Sequence, residues 1–323
     1  MKVGFIGLGN VGFKLANSLL ASGFQLIVHD IDKEKAEELV DQGAQWAATP
    51  KELAEKTDCS ITCLPSPAAI REVLESPEGL LHGMSQDKLW IEMSTTDQEE
   101  TLRLAEAMMA KGALALEAPV SGGCHRAATG NIAILAGGTR EAFEIGLPAL
   151  QAIGHKILHV GPMGQASVLK VVTNFLASTH LVALGEALML CKKSGIDLRT
   201  AFEGIKISSG NSFVHETESQ VILNGSYNIN FTMDLVCKDV GLFKSFCDRQ
   251  NLPTDIAHIL VDVFQDGREK YGDRAWSSMI VKRLEDACNT DLRAPSFPEE
   301  LLDDTPRRQG YEVGAPEPIE TLQ

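Results

Sequence analysis

Short apolar runs alternate with helix-like segments through the first half of this chain, and that alternation restricts the fold more than any other feature. The runs cover 3–7, 25–30, 59–64, 89–94, 114–120, 132–136 and 156–160. Helical spacing of apolar residues fills 11–21, 33–42, 97–110 and 141–152 between them. Strands that are apolar on both sides must be covered on both faces, so the pattern predicts a parallel sheet flanked by helices. After Gly161-Pro162 the pattern changes. Residues 165–194 form one long, apolar-rich helical stretch without proline, and Gly195 supplies a stop. Helical segments follow at 198–205, 212–223, 233–249, 254–264 and 276–286, and no strand pattern returns.

The expected organisation is a sheet domain over 1–162, an all-helical domain over 163–290 and a tail over 291–323. The tail holds five of the 13 prolines, with eight acidic and three basic residues, and reads as disordered or draped. Two domains and a tail suit a chain of 323 residues. With 44% hydrophobic and 23% charged residues, whole-chain disorder is excluded. Lys+Arg is 29 against Asp+Glu 44, a net charge of −15, which argues against nucleic acid as a partner. Seven dispersed cysteines form no C-x-x-C pair and no zinc set, so no metal site is expected and a reducing, cytoplasmic setting fits. The chain enters its first strand directly and has no unbroken run of ~18 apolar residues, so neither a leader nor a membrane span is expected.

Gly7-Leu8-Gly9-Asn10-Val11-Gly12 is a G-x-G-x-x-G motif that follows an apolar strand and opens a helix. Gly7 suits a tight turn, Gly9 close approach of the backbone to a pyrophosphate, and Gly12 helix–strand packing. The N–H groups at the helix start favour phosphate charge. The next strand ends at Asp30, where a carboxylate accepts from ribose hydroxyls and repels a 2′-phosphate. The reading is a Rossmann-type, doubly wound α/β domain that binds NAD in preference to NADP, although His29, Lys33 and Lys35 stand near enough to help a phosphate. Leu64-Pro65 and Ser94-Thr95-Thr96 mark two further strand ends on the ligand side of such a sheet. Thr95 or Thr96 suits the nicotinamide ribose; a helix cap with Asp97 is the alternative.

Ser121-Gly122-Gly123 offers one hydroxyl and backbone N–H groups unshielded by Cβ atoms, which suits a carboxylate or similar anion. Arg126 either adds a charge-assisted contact or is a solvated loop charge, and His125 reads as a loop residue. On the long helix, Lys170 and Asn174 lie four apart on one face among apolar residues. Desolvation lowers a lysine's pKa and fits it for proton transfer; the competing reading is an amine that snorkels to water. Lys238-Asp239 reads by default as a solvated pair.

Taken together, Gly4-Phe5-Ile6-Gly7 through Gly12, Ala118-Pro119-Val120-Ser121-Gly122-Gly123, Gly164-Gln165-Ala166 through Lys170 and Asn174, and Lys238-Asp239-Val240-Gly241-Leu242 resemble the β-hydroxyacid dehydrogenase family, in the family's order over about residues 1–288. The resemblance implies that Lys170 is the general acid/base and that Asn174 and Ser121–Gly123 hold substrate. It further implies cofactor contacts at Leu64, Pro65, Thr95 and Lys238. Ala177 stands where related phosphogluconate dehydrogenases carry a Glu, which favours simple alcohol–aldehyde interconversion over oxidative decarboxylation. His125-Arg126 replaces small residues common in 3-hydroxyisobutyrate enzymes. The implied activity is an NAD-dependent interconversion of a small 3-hydroxy acid, or an analogous anionic hydroxy compound, and its semialdehyde. Imine reductases of similar fold generally lack the lysine, and a catalytically silent NAD-binding protein would be free to lose both Lys170 and Asn174. The apolar surface of the long helix predicts a homodimer or homotetramer.

Overall fold

The structure, a computed structural model, describes residues 1–314. Contacts divide the chain into one unit of Met1–Ser167 with the C-terminal segment from Asp304, and a second of Val168–Asp303.

The first unit is a ten-stranded sheet. Its strands are β1 (Lys2–Ile6), β2 (Gln25–His29), β3 (Gln45–Trp46), β4 (Cys59–Thr62), β5 (Leu89–Glu92), β6 (Leu114–Glu117), β7 (Val120–Ser121), β8 (Ile132–Gly138), β9 (Gly154–Gly161) and β10 (Tyr311–Glu312). They lie in the order β10-β9-β8-β6-β5-β4-β1-β2-β3, with β7 paired to β8. From β3 to β6 all pairings are parallel, with the order reversing at β1, the arrangement of dinucleotide-binding sheets. The expectation of a parallel sheet is corrected beyond that point. Strand β8 runs antiparallel to β6 and β7. The run 114–120 is two strands, because Ala118-Pro119 interrupts it and proline has no N–H for the ladder.

Strands β1, β2, β5 and β6 each feed two cores. Leu26 and Val28 pack with Leu15 and Leu19 of helix α1 (Gly12–Ala21), whereas Ile27 between them packs with Leu53 and Ala54 of α3 (Pro50–Lys56). That period-two split is what a sheet covered on both faces requires. The short α2 (Glu37–Asp41) follows a single 3₁₀ turn at Lys33–Ala36. Helix α4 (Pro67–Glu75) and α5 (Gln98–Met109) share the face of α3, whereas α6 (Gly123–Thr129) and α7 (Arg140–Ile153) share that of α1.

The second unit is helical, apart from an isolated bridge between Thr232 and Trp276. It contains most of α8 (Gln165–Lys193), then α9 (Leu198–Lys206), α10 (Phe213–Asn224), α11 (Met233–Arg249), α12 (Ile256–Tyr271) and α13 (Lys282–Cys288). Leu184, Leu188, Val236, Val240, Leu260 and Phe264 form the centre of its core. Helix α8 is, by length and composition, apolar enough to cross a bilayer. No unbroken apolar run marks it in the sequence, because Lys170, Asn174, His180 and Glu186 interrupt a helix that is apolar on the whole. Such a helix is equally at home in the core of a bundle.

Much of 291–314 is built into the two units. Leu292 is fully buried in the helical unit, and Glu285 accepts from its N–H. Strand β10 pairs with β9 in the sheet unit. Residues 315–323 of the expected tail lie outside the described residues.

Candidate active site

The turn after β1 is shaped by glycines. Gly7 has φ +96°, and a Cβ on Gly12 would collide with the Gly7 carbonyl, so α1 starts hard against the turn. Gly9 differs: a Cβ there meets nothing within 4 Å. No packing contact within the folded chain requires glycine there. The N-cap of helix α1 is Val11, which makes no side-chain cap. Exposed Gly9 and Asn10 and this uncapped start fit a pyrophosphate. Gly9→Ala is expected to leave the melting temperature within about 2–3 °C, since it removes no contact, while weakening NADH binding at least tenfold. Thermal melting and NADH fluorescence titration check the two arms.

Asp30 is buried and pins this turn to the end of β2. Its Oδ2 accepts from Leu8 N at 2.6 Å and its Oδ1 from Asp32 N at 2.9 Å. The neighbouring bases are engaged: Lys35 Nζ lies 3.6 Å from Asp30, Lys33 sits over the Trp46 ring, and His29 Nδ1 is 3.0 Å from the Ala47 carbonyl.

At the ends of β4 and β5 a buried polar network supports the next two loops. Glu92 accepts from Thr62 Oγ1 at 2.8 Å and Ser94 N at 2.6 Å, while Ser94 Oγ accepts from Leu64 N at 2.8 Å. Burial pushes the Glu92 carboxyl up to about 7. Leu64 is half-buried and Pro65 exposed. The alternatives at the β5 end separate here. Asp97 caps α5, accepting from Glu99 N at 2.9 Å and Glu100 N at 3.3 Å. Thr95 is half-buried beside it, and Thr96 Oγ1 is buried with no hydrogen-bond partner.

Ser121–Gly123 lies at the start of α6, so His125 and Arg126 stand on a helix, and the loop placement is corrected. Both fold back over the glycines. A Cβ on Gly122 would stand 3.2 Å from Arg126 Cδ, and one on Gly123 would stand 2.9 Å from His125 Cε1. With φ +127° and +86°, these two positions need glycine for backbone reasons as well. Arg126 is half-buried beside the Ser-Gly-Gly turn. Nearby Glu117 accepts from Ala166 N at 2.8 Å and Ser167 N at 3.0 Å, closing the first turn of α8.

In the helical unit Lys170 is 7% exposed and does not snorkel. Its Nζ donates to Asn174 Oδ1 at 2.6 Å. Asn174 Nδ2 donates to Asp239 Oδ2 at 2.5 Å, and Lys238 Nζ donates to Asp239 Oδ1 at 2.7 Å. Desolvation lowers the Lys170 amine to about 8; Asp239 opposes that fall and Lys238 adds to it. A base poised there titrates within the working range of an acid–base catalyst. Phe175 and Phe243 stack at 3.8 Å between centroids, holding α8 to α11 beside this chain of hydrogen bonds.

The default reading of Lys238-Asp239 as a solvated pair is corrected: Asp239 is 1% exposed. Asp239 was missed as a site residue. By accepting from Nδ2 it fixes the orientation of the Asn174 amide and turns Oδ1 toward Lys170. The available signal was an acid three residues after Val236 on the stripe that Met233, Val236 and Val240 bury.

Comparison with known proteins gives the same outline. Residues 2–161 match the model described as the NAD binding domain of 6-phosphogluconate dehydrogenase. Residues 164–284 match that described as NAD-binding of NADP-dependent 3-hydroxyisobutyrate dehydrogenase. The chain is 32% identical over 283 residues to 2-(hydroxymethyl)glutarate dehydrogenase of Eubacterium barkeri, covering 87% of this chain and 94% of that protein. It is likewise 32% identical to 3-sulfolactaldehyde reductase of Escherichia coli K12, covering 86% and 94%. The crystal structure of 3-hydroxyisobutyrate dehydrogenase from Salmonella typhimurium superimposes with a TM-score of 0.81 at 27% identity, covering 88% of this chain and 99% of that one. The Gly-rich turn, the Ser-Gly-Gly turn and the buried lysine thus stand in a chain that belongs to the β-hydroxyacid dehydrogenase family of nicotinamide-dependent oxidoreductases.

Proposed function

We propose that this protein interconverts a small 3-hydroxy acid, or an analogous anionic hydroxy compound, and its semialdehyde, with NAD as the preferred cofactor. The observation that carries the reading is the desolvated Lys170 amine, hydrogen-bonded to an Asn174 amide that Asp239 orients. When bound, the nicotinamide supplies a hydride acceptor. Lys170 takes the hydroxyl proton as the alcohol is oxidised and returns it to the forming alkoxide in reduction. Asn174 holds the hydroxyl. Ser121 and the N–H groups of Gly122 and Gly123 hold the anion, and Arg126 adds charge to it. The names of two relatives, a substituted glutarate and a sulfolactaldehyde, span carboxylate and sulfonate substrates. Asp30, with Lys35 and Lys33 engaged around it, supports NAD over NADP.

The reading is tested by a screen of 3-hydroxy acids, hydroxy sulfonates and the matching semialdehydes, followed at the NADH absorbance. Turnover with an anionic member, and NADH preferred to NADPH at least tenfold in kcat/KM, is the expected result. Turnover confined to uncharged alcohols overturns the substrate class; a preference for NADPH overturns the role of Asp30.

Self-association forms the second part of the proposal. Leu176 and Leu190 of α8 are 47% and 69% exposed on a long apolar helix, which a second copy would cover. Sedimentation at micromolar concentration is expected to show a dimer or tetramer, and a monomer overturns this part.

A further inference from the structure

The second family model ends at residue 284, and the C-terminal segment beyond 303 returns to the sheet unit. Its contacts there are concentrated on helix ends. Arg307 Nη2 donates to the Ser18 carbonyl at 3.1 Å and to Ser22 Oγ at 2.8 Å, at the end of α1. The same nitrogen donates to the Ala152 carbonyl at 2.6 Å, at the end of α7. The Arg307 side chain also lies against Gly130, the C-cap of α6, where an added Cβ would stand 3.1 Å from Nε. Asn131 Nδ2, one residue on, donates to the Thr305 carbonyl at 2.8 Å. One guanidinium therefore meets the carboxyl ends of three helices, where a positive charge is favoured by the exposed carbonyls. Farther along, Gly310 N donates to Gln151 O at 3.3 Å. Strand β10 pairs with β9, and Glu312 forms a two-pronged ion pair with Arg140 at the start of α7, at 2.5 and 2.9 Å.

The leading ends of two of these helices belong to the candidate site. Helix α1 opens at the Gly-rich turn, and α6 opens directly after Ser121-Gly122. A shift at a trailing end moves the leading end of a short, stiff helix by a similar amount. Sites of this kind lose function when their supports slacken by about 1 Å.

We propose that residues 304–313 are a positioning strap for ligand binding, in which Arg307 ties the trailing ends of α1, α6 and α7 so that the Gly-rich and Ser-Gly-Gly turns keep their places. Arg307 is a positioning residue and touches neither ligand. The proposal rests on the sheet unit binding a nicotinamide cofactor, and is independent of which hydroxy acid is the substrate.

The test uses the full chain. Arg307→Ala removes the tie from an exposed position, and Arg307→Lys keeps the charge but loses the fork. Gly310→Val sets a side chain against the Gly154 carbonyl and drives β10 from β9. In Arg307→Ala the dissociation constant for NADH is expected to rise 5- to 20-fold. The kcat at saturation stays within twofold, and its pH profile, set by Lys170, does not move. Arg307→Lys recovers part of the affinity and Gly310→Val reproduces the loss. Amide exchange in α1 and α6, measured without cofactor, is expected to accelerate at least tenfold in Arg307→Ala. NADH affinity within twofold of the parent in both Arg307→Ala and Gly310→Val overturns the proposal. A lower melting temperature with unchanged affinity of the folded fraction overturns it equally, because a merely stabilising tail would act that way. If the parent binds no nicotinamide, the earlier reading fails, and unchanged exchange in α1 and α6 then overturns the strap on its own.

Discussion

Replacing Lys170 with alanine is expected to lower kcat by about 10²–10⁴-fold while NADH binding stays within a few-fold. The expected loss follows from the proposed role as proton carrier, for which the amine is buried, hydrogen-bonded to Asn174 and lowered to about 8. The pH dependence follows from the sign of its role. Alcohol oxidation needs the neutral amine, so its rate rises through about pH 8 and levels above it. Carbonyl reduction needs the ammonium form, so its rate is level below about pH 8 and falls above. Lys170→Arg should not rescue oxidation, because a guanidinium stays charged throughout this range. Steady-state kinetics in both directions across pH 6–10, with NADH titration of the variant, check this. Undiminished turnover in folded Lys170→Ala would remove the lysine from the mechanism.

Asp239 is expected to give the second-largest effect, and its two substitutions separate structure from electrostatics. Asp239→Ala leaves the Asn174 amide and the Lys238 ammonium without their buried acceptor, costing about 2–4 kcal/mol of stability. It also lets the Asn174 amide turn, and a 10- to 100-fold loss in kcat/KM is expected. Asp239→Asn keeps an acceptor for Asn174 but removes the negative charge that holds the Lys170 pKa up. The inflection in the oxidation profile then moves below about 8, with a smaller loss of rate. Denaturant melts and pH–rate profiles of the two variants read these outcomes, and an inflection that stays in place in Asp239→Asn would show that the charge does not reach the amine.

How far the sequence reveals this molecule depends on the range of the interaction concerned. The parallel core from β1 to β6 and helices such as α11 are legible because burial on one or both faces writes directly into apolar spacing. Helices α3 and α4 are not among the expected segments, because seven and nine residues are too few to show a clear apolar period. Their caps are local all the same: Thr49 accepts from Glu52 N at 3.1 Å, and Glu52 accepts from Ala48 N at 2.6 Å. Ser66-Pro67 marks α4 in the same way. The antiparallel turn of β8 is not legible, because an apolar strand reads the same in either direction. At the candidate site, glycines and the Lys170–Asn174 spacing are visible, since each is a local requirement. The burial of Asp239 and the seat of Arg307 are not. Both depend on partners 65 or more residues away, and the one local hint is the place of Asp239 on the stripe of Met233, Val236 and Val240.

The ten-stranded sheet ends on both sides in a strand of two residues, β3 at one margin and β10 at the other. Each stub offers a passing polypeptide only two residues of ladder to copy, and it covers two residues of the longer strand behind it. The apolar strands β1, β4, β5, β6 and β8 have neighbours on both sides. Among the described residues, sheet growth at either margin would have to start from a two-residue stub, which is a poor template for a foreign strand.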